Sequence, residues 1–233
     1  MGLFGKEKTV DELNHELIKY MELGNYDKVL NIEKKILKIH PQNKDAWNNI
    51  AITLNQLGRH EEAIECYDKA IEIEPNNIQT WHDKAIVLNS LRRYNEEIIC
   101  YDKIIENDYY NSDAWYNKGV ALSNAGKIIS FTKHMSMSPD FKLPKFGRYD
   151  EEIICYDKAI EIDPYNSDAW NNKGVALYRL GNAGEAITCY DKAIEIEPNN
   201  SDVWHNKGES LKKLGRDDKA KECFAKAKEL DES

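Results

Sequence analysis

Tryptophans recur through this chain at an almost constant interval. The series is Trp47, Trp81, Trp115, Trp170 and Trp204. Three of the four intervals are 34 residues, and the interval that ends at Trp170 is 55, which is one period and 21 further residues. A fixed period of this length predicts a repeat architecture, in which each repeat packs on its neighbours and none buries a core alone.

Each repeat has the pattern of two helices joined by a turn. An asparagine stands four residues before every tryptophan, where it is suited to begin a helix: Asn43, Asn77, Asn111, Asn166 and Asn200. Apolar residues then follow the helical period, as in Trp47, Ala51 and Leu54. Glycines at positions 58, 181 and 215 predict the turn, and a second apolar series before Pro75 predicts the second helix.

This pattern resembles the tetratricopeptide repeat family, whose motif places Trp, Leu-Gly, Tyr, Ala, Phe and Pro at set intervals. Those places are taken here by Trp47, Ile50-Ala51, Leu54, Ala63, Tyr67 and Pro75. The departures are lysines in place of the leucine (Lys84, Lys118, Lys173, Lys207), Tyr109 in place of a proline, and Leu13 and Glu33 in place of the two aromatics of the first repeat. The resemblance implies an all-α, right-handed α-solenoid of about six helix-turn-helix repeats.

The repeats are numbered here from one to six. Residues 1–9 are expected to form an N-terminal tail, and residues 10–233 a single array with repeats at 10–43, 44–77, 78–111, 112–166, 167–200 and 201–233. The inner repeats carry isoleucine where the last carries Lys221 and Lys228. Because a terminal repeat needs a polar outer face, we expect the array to be complete.

The fourth repeat contains a 21-residue insertion, Lys127 to Gly147, which we expect to leave at the turn after Gly126. It carries a charge of +3 and three of the five phenylalanines. Three interpretations stay open: a lid on the array, a contact that forms a homo-oligomer, or a free loop. Because loop entropy grows slowly with length, the insertion is expected to be dispensable for folding.

Composition excludes several classes of function. The net charge of −9 disfavours nucleic acid as a partner. No apolar run is long enough for a membrane span, so a cytoplasmic protein is expected. One cysteine stands before the aromatic residue in the second helix of each of the last five repeats, which predicts a packing column and not disulfides.

No residue pattern predicts a catalytic, cofactor or metal site. The chain has no glycine-rich phosphate loop, paired histidine motif or Cys-x-x-Cys. Acidic pairs such as Glu151-Glu152 stand where second helices begin, so we interpret them as first-turn residues that favour the helix dipole. The expectation is therefore a protein that is not an enzyme and needs no cofactor.

The resemblance implies a binding site on the concave face of the first helices, beside the buried tryptophans. The predicted groove residues are Asn48, Asn49, His82, Tyr116, Asn117, Asn171, Asn172, Tyr178, His205 and Asn206. Asparagine donates and accepts, so such a column can hold a peptide backbone. Alternatively, these amides only link neighbouring helices. Arg179, Lys212 and Lys213 form a basic cluster suited to an acidic residue of a ligand.

The function expected from the sequence is a scaffold or adaptor that binds a protein or peptide segment. The family's chaperone-tail clamp is not expected, because aspartates such as Asp113 and Asp168 replace its lysines. The alternative function is a structural solenoid that assembles with itself.

Overall fold

The computed structural model describes residues 8–135 and 147–232, and these residues form α-helices and no strand. The helices are α1 (Val10–Glu22), α2 (Tyr26–Ile39), α3 (Lys44–Gln56), α4 (His60–Ile73), α5 (Ile78–Ser90), α6 (Tyr94–Asn107), α7 (Ser112–Met135), α8 (Gly147–Ile162), α9 (Ser167–Leu180), α10 (Ala183–Ile196), α11 (Ser201–Lys213) and α12 (Asp217–Asp231). Odd-numbered helices are the first helices of the repeats, and even-numbered ones are the second. The fold is an all-α solenoid of helical repeats.

The chain divides into two compact units, with α1–α6 in the first and α7–α12 in the second. Within each unit, the two helices of a repeat pack together, and each second helix packs on the first helix of the next repeat. Thus α2 packs on α3 and α4 on α5 in the first unit, while α8 packs on α9 and α10 on α11 in the second.

Asparagine side chains begin the first helices, as the sequence predicts. The side-chain oxygen of Asn166 accepts a hydrogen bond from the Ala169 N–H at 2.8 Å, and that of Asn43 accepts from Ala46 at 3.0 Å. The same bond is made by Asn77, Asn111 and Asn200. Each asparagine satisfies a backbone donor that has no partner inside its helix.

Glycine residues turn the chain between the helices of a repeat. Gly58, Gly181 and Gly215 have φ of 73°, 96° and 71°, the left-handed region that costs glycine little. Gly24 has the same conformation in the first repeat. The third repeat has no glycine there, and Arg92 takes the left-handed conformation with φ of 57°.

Replacing Arg92 with glycine is expected to stabilise the protein by about 0.5–1 kcal/mol, because the left-handed strain of a side chain is removed. Part of that gain is offset by the greater freedom of glycine in the unfolded chain. Urea unfolding followed by circular dichroism measures the change. Gly58→Ala is the matched control and should destabilise by a similar amount. A loss of stability in the Arg92 variant would contradict this account.

Tyrosines and glycines fix the spacing between the helices of a repeat. Tyr67, Tyr156 and Tyr190 are among the largest fully buried side chains. A Cβ atom added at Gly174 would lie 2.6 Å from Cε1 of Tyr190, and one at Gly119 would lie 2.6 Å from Cε1 of Tyr156. The two helices of a repeat therefore approach closely at these glycines.

The tryptophans, which were predicted to be buried, are half-buried, and Trp115, Trp170 and Trp204 pack against the buried core clusters. Trp170 packs against Ala159 and Ile160 of the preceding second helix and against Ala169 of its own. Its indole N–H donates to the carbonyl oxygen of Pro164 at 3.0 Å. The other indoles bond the carbonyl six residues before them in the same way. Each indole thus joins a repeat to the turn that precedes it.

The cysteines are free thiols packed against their neighbours, as predicted. Cys100, Cys155, Cys189 and Cys223 are buried, and Cys66 is half-buried. Burial raises the pKa of Cys100 to about 12 and that of Cys189 to about 11, because the thiolate loses its hydration. These thiols are therefore poor nucleophiles.

The insertion does not leave the array after Gly126 as predicted. Helix α7 passes through Gly126 without a break and ends at Met135, so the first residues of the insertion are helical. The sequence has no proline before Pro139 to stop the helix, which explains its continuation. Residues 136–146 lie outside the described residues, and the three interpretations of the insertion stay open.

Candidate binding surfaces

Polar side chains of the first helices link successive repeats in the first unit. The Asn48 side chain donates to Thr80 Oγ1 at 2.9 Å, and Thr80 donates back to the Asn48 oxygen at 3.2 Å. Asn49 donates to a carboxylate oxygen of Glu33 at 2.7 Å. These contacts match the alternative interpretation of the asparagine column, in which the amides hold neighbouring helices together.

The second unit shows the same use of its amides. Asn172 donates to the Tyr116 hydroxyl at 3.3 Å, and Asn206 donates to the side-chain oxygen of Asn171 at 3.1 Å. His205 is exposed and its ring lies 5.4 Å from that of Phe224. The amides consequently have only part of their hydrogen-bonding capacity left for a ligand.

A groove of about 210 Å³ lies on the first-helix face of the second unit, and we call it the first-helix groove. Its walls are Tyr116, Val120, Ser123, Asn124 and Lys127 of α7, Tyr156 of α8, and Asn172, Val175 and Arg179 of α9. The structure thus brings the predicted residues Tyr116 and Asn172 together in one site. Burial raises the pKa of Tyr116, so its hydroxyl stays protonated near neutral pH.

Basic side chains lie at the C-terminal ends of α9 and α11, and one of them, Arg179, lines this groove. Arg179 donates to Ser123 Oγ at 3.1 Å and is exposed. Beside it, the Lys213 ammonium lies 4.3 Å from the centre of the Tyr178 ring and donates to the Tyr178 carbonyl oxygen at 3.1 Å. The Lys213 ammonium therefore covers one face of the ring of Tyr178, a predicted groove residue.

An apolar row on the first helices lies one turn from the amides. Ile18, Ile52 and Ile86 occupy one place in α1, α3 and α5 and are 58%, 39% and 49% exposed. Val120 and Val175 hold that place in the second unit, where both are half-buried. Asn49, His82 and Asn117, which were also predicted to line the groove, are half-buried on α3, α5 and α7. Apolar side chains exposed in a regular row mark a surface suited to a partner.

The lysines that depart from the family motif form links that sequence reasoning missed. Lys173 lies 5.6 Å from the centre of the Trp170 ring, and its ammonium pairs with Asp157 of the preceding second helix at 2.5 Å. Lys84–Asp68 and Lys207–Asp191 repeat this pairing at 2.5 and 2.6 Å. The constant separation of 16 residues between the two charges was the signal in the sequence.

Three buried carboxyl groups were also missed. Glu33, Glu97 and Glu152 are 1%, 2% and 1% exposed. Helix α8 begins at Gly147 and its first-turn acid is Asp150, so the interpretation of Glu152 as a first-turn residue is wrong. Burial raises the pKa of Glu33 and that of Glu97 to about 7, although hydrogen bonds from Asn49 and Asn89 oppose the shift. The signal was that Glu97 and Glu152 stand where other repeats have alanine, as at Ala63 and Ala186.

Within residues 8–135 and 147–232, no three of the His, Cys, Asp and Glu side chains are grouped to hold a metal ion. No helix among them is both long enough and apolar enough to cross a membrane.

Comparison with family models identifies the repeats. Two models described as tetratricopeptide repeat match residues 45–77 and 167–200, and residues 66–98, 100–130 and 189–222. A third, described as TPR repeat, matches residues 145–181. The chain belongs to the tetratricopeptide repeat family. Proteins of this family act as scaffolds for protein interactions. None of the curated proteins compared with the chain matches it.

Solved structures share the tetratricopeptide fold at low sequence identity. A crystal structure of MamA is 23% identical, covers 78% of this chain and 95% of its own, and has a TM-score of 0.66. YrrB, described as a TPR protein with an unusual peptide-binding site, is 19% identical over 85% of this chain and 91% of its own, with a TM-score of 0.66. MamA from Desulfovibrio magneticus RS-1 is 16% identical over 81% of this chain and 95% of its own, with a TM-score of 0.64.

Proposed function

We propose that this tetratricopeptide repeat protein is a non-catalytic adaptor that binds a protein or peptide segment on the face of its first helices. The observation that carries the proposal is an apolar row on the first helices of each unit, with Ile52 and Ile86 in the first and Val175 in the second, beside amides that retain hydrogen-bonding capacity. An extended peptide alternates its side chains, so it can place apolar ones on this row while its backbone meets the amides. The likeness in fold to YrrB makes a peptide the first ligand class to test.

The first-helix groove is the part of this surface that we assign to the ligand in the second unit. Tyr116 and Asn172 offer a hydroxyl and an amide, and Val120 and Val175 offer apolar contact. Arg179 provides a cation at the border of the groove, and it is suited to an acidic residue of the ligand. This chemistry favours a segment with apolar residues and at least one carboxylate.

Val175→Glu is expected to reduce partner capture by about tenfold or more, because a buried carboxylate would replace the apolar wall of the groove. The sixth repeat already carries Glu209 at this place, so the fold is expected to tolerate the change. Protein captured from the source cell by the wild type and by the variant would be compared by quantitative mass spectrometry. Thr188→Glu is the matched control, since it copies Glu222 at an exposed place on a second helix.

Equal capture by Val175→Glu and the wild type, with circular dichroism unchanged, would remove this groove as the binding site. Asn171 and Asn172 are less suitable for the test, because each makes a hydrogen bond to a neighbouring first helix. Size exclusion with light scattering tests the alternative of self-assembly, for which a monomer at micromolar concentration would be the contrary result.

A further inference from the structure

A second groove lies on the opposite side of the repeats in the first unit, between the second helices α2 and α4. We call it the outer groove, and it has a volume of about 400 Å³. Leu37, Trp47, Ile50 and Leu54 line its floor, so the floor is apolar. No part of the proposed function uses this surface.

Two residues that line the outer groove differ in type from their counterparts in other repeats. In those repeats the two positions form an ion pair. In the third, fifth and sixth repeats, the residue three after the tryptophan is a lysine that pairs with an aspartate of the preceding second helix. In the second repeat the lysine is replaced by Ile50, and the aspartate of the preceding helix by Lys34. The ion pair that crosses the indole elsewhere is therefore replaced by an apolar side chain and a lysine that forms no ion pair with another described residue.

Trp47 is consequently uncovered on the groove side. Lysine ammonium groups lie 5.3–5.6 Å from the ring centres of Trp81, Trp115, Trp170 and Trp204. Among the described residues, no cation takes this position over Trp47. Indole surface in a concave, desolvated site is the kind of contact that dominates protein interfaces.

The two walls of the outer groove have different charge. Lys34 and Lys38 lie one turn apart on the α2 side, and both are exposed. In the part of the chain described here neither lies within ion-pair distance of a carboxylate, although the charge of Lys34 contributes, after that of Arg59, to lowering the pKa of Glu62 on the opposite wall. On the α4 side, Arg59 is paired with Glu62 at 2.6 Å, and Glu65 is exposed. The α2 wall is therefore a basic rim in a protein whose net charge is −9.

We propose that the outer groove is a second docking site, for a segment of a partner protein that places a large apolar side chain flanked by acidic residues against it. The apolar side chain packs on Trp47 and Ile50, and the carboxylates meet Lys34 and Lys38 along α2. Charge complementarity selects an acidic segment, because a basic one would meet these lysines across an apolar floor.

A comparable groove between α10 and α12 lacks the features on which this proposal rests. It is larger, about 590 Å³, and has Trp204 in its floor. However, Lys207 lies over that indole and pairs with Asp191, so a polar bridge crosses its floor. The proposal applies to the first of the two grooves because only there is the bridge replaced by Ile50 and Lys34.

A display library of short random peptides tests the proposal directly. Peptides would be selected on the immobilised full chain and counter-selected on a double variant, Lys34→Asp with Ile50→Lys. This variant rebuilds the ion pair of the other repeats, so it is designed to keep the fold. A second variant, Lys34→Glu with Lys38→Glu, changes two exposed side chains only. Affinities of the selected peptides would be measured by calorimetry at two salt concentrations.

Peptides with aspartate or glutamate beside Phe, Trp or Leu are expected, and they should bind both variants at least about tenfold more weakly than the wild type. Their affinity should fall as salt is raised and should not change in Val175→Glu. A neutral or basic consensus, equal binding to the variants, or no peptide that survives counter-selection would each overturn the proposal. Peptides that respond to Val175→Glu alone would support the first-helix groove and also overturn it.

Discussion

Replacing Glu97 with glutamine is expected to raise the free energy of unfolding by about 2–3 kcal/mol at pH 8. The wild-type carboxyl group is buried and accepts hydrogen bonds from Asn89 at 3.0 and 3.1 Å. Its pKa is raised from 4.5 to about 7, so at pH 8 the folded protein holds a buried carboxylate. Glutamine keeps the shape and the acceptor but has no charge to bury.

The same shift determines the direction of the pH dependence. Glu33 also has its pKa raised from 4.5 to about 7, by burial and by the nearby charge of Asp45. Between pH 4.5 and about pH 7, Glu33 and Glu97 keep their protons in the folded protein, whereas the unfolded chain has released them. The contribution of these two groups to the free energy of unfolding is therefore greatest below about pH 4.5 and is lost as the pH rises through about 7. Between pH 6 and pH 8 the loss is about 1 kcal/mol per group.

Urea unfolding at pH 6 and pH 8 measures both effects. The gain in Glu97→Gln should be smaller at pH 6 than at pH 8, because the wild-type group is then mostly protonated. Glu96→Gln is the matched control: that carboxylate is exposed, pairs with Arg93 at 2.6 Å and has its pKa lowered, so its change should have little effect. If Glu97→Gln is less stable than the wild type at pH 8, the buried charge of Glu97 does not destabilise the folded protein.

Gly174→Val is expected to destabilise the protein by about 3 kcal/mol, and Gly174→Ala by much less. A Cβ at this position lies 2.6 Å from Tyr190 Cε1, and valine adds two methyl groups beside a buried ring. The second and third repeats have Ala51 and Ala85 at the same place, which indicates that the ring can shift enough for one methyl group. The better helix propensity of alanine offsets part of that cost.

Thermal unfolding followed by circular dichroism at fixed pH compares the two variants. Gly184 is the control position, because nothing lies within 4 Å of a Cβ added there. Gly184→Val should change stability by helix propensity alone. Equal stabilities of Gly174→Val and Gly174→Ala would contradict the account in which Tyr190 sets the helix spacing.

The local structure of the repeats was predictable from sequence, because its signals are short-range. Asn166 and Gly181 each act within one turn of the chain, so their type and spacing predict where α9 begins and ends. The 34-residue period extended that prediction to the whole array. The depth of the tryptophans was not predictable in this way, because it depends on how far the preceding turn covers each indole.

The candidate site was predictable as a face but not as a set of contacts. The period places Asn172 and Tyr116 on neighbouring first helices, yet only the structure shows that the amide donates to that hydroxyl. The buried carboxyl groups were overlooked for a different reason. Glutamate is rarely buried, so the presence of Glu97 in an alanine position does not by itself predict a buried carboxyl group.

The lysine–aspartate links within each unit have a direction, since the lysine belongs to the later repeat and the aspartate to the repeat before it, as in Lys84–Asp68, Lys173–Asp157 and Lys207–Asp191. The third, fourth and fifth repeats carry both halves: Lys84 with Asp102, Lys118 with Asp157, and Lys173 with Asp191. Duplication or deletion of the fifth repeat is therefore expected to leave each of these lysines in the second unit facing an aspartate. We therefore expect the second unit to gain or lose this repeat without an unmatched charge at the new junction.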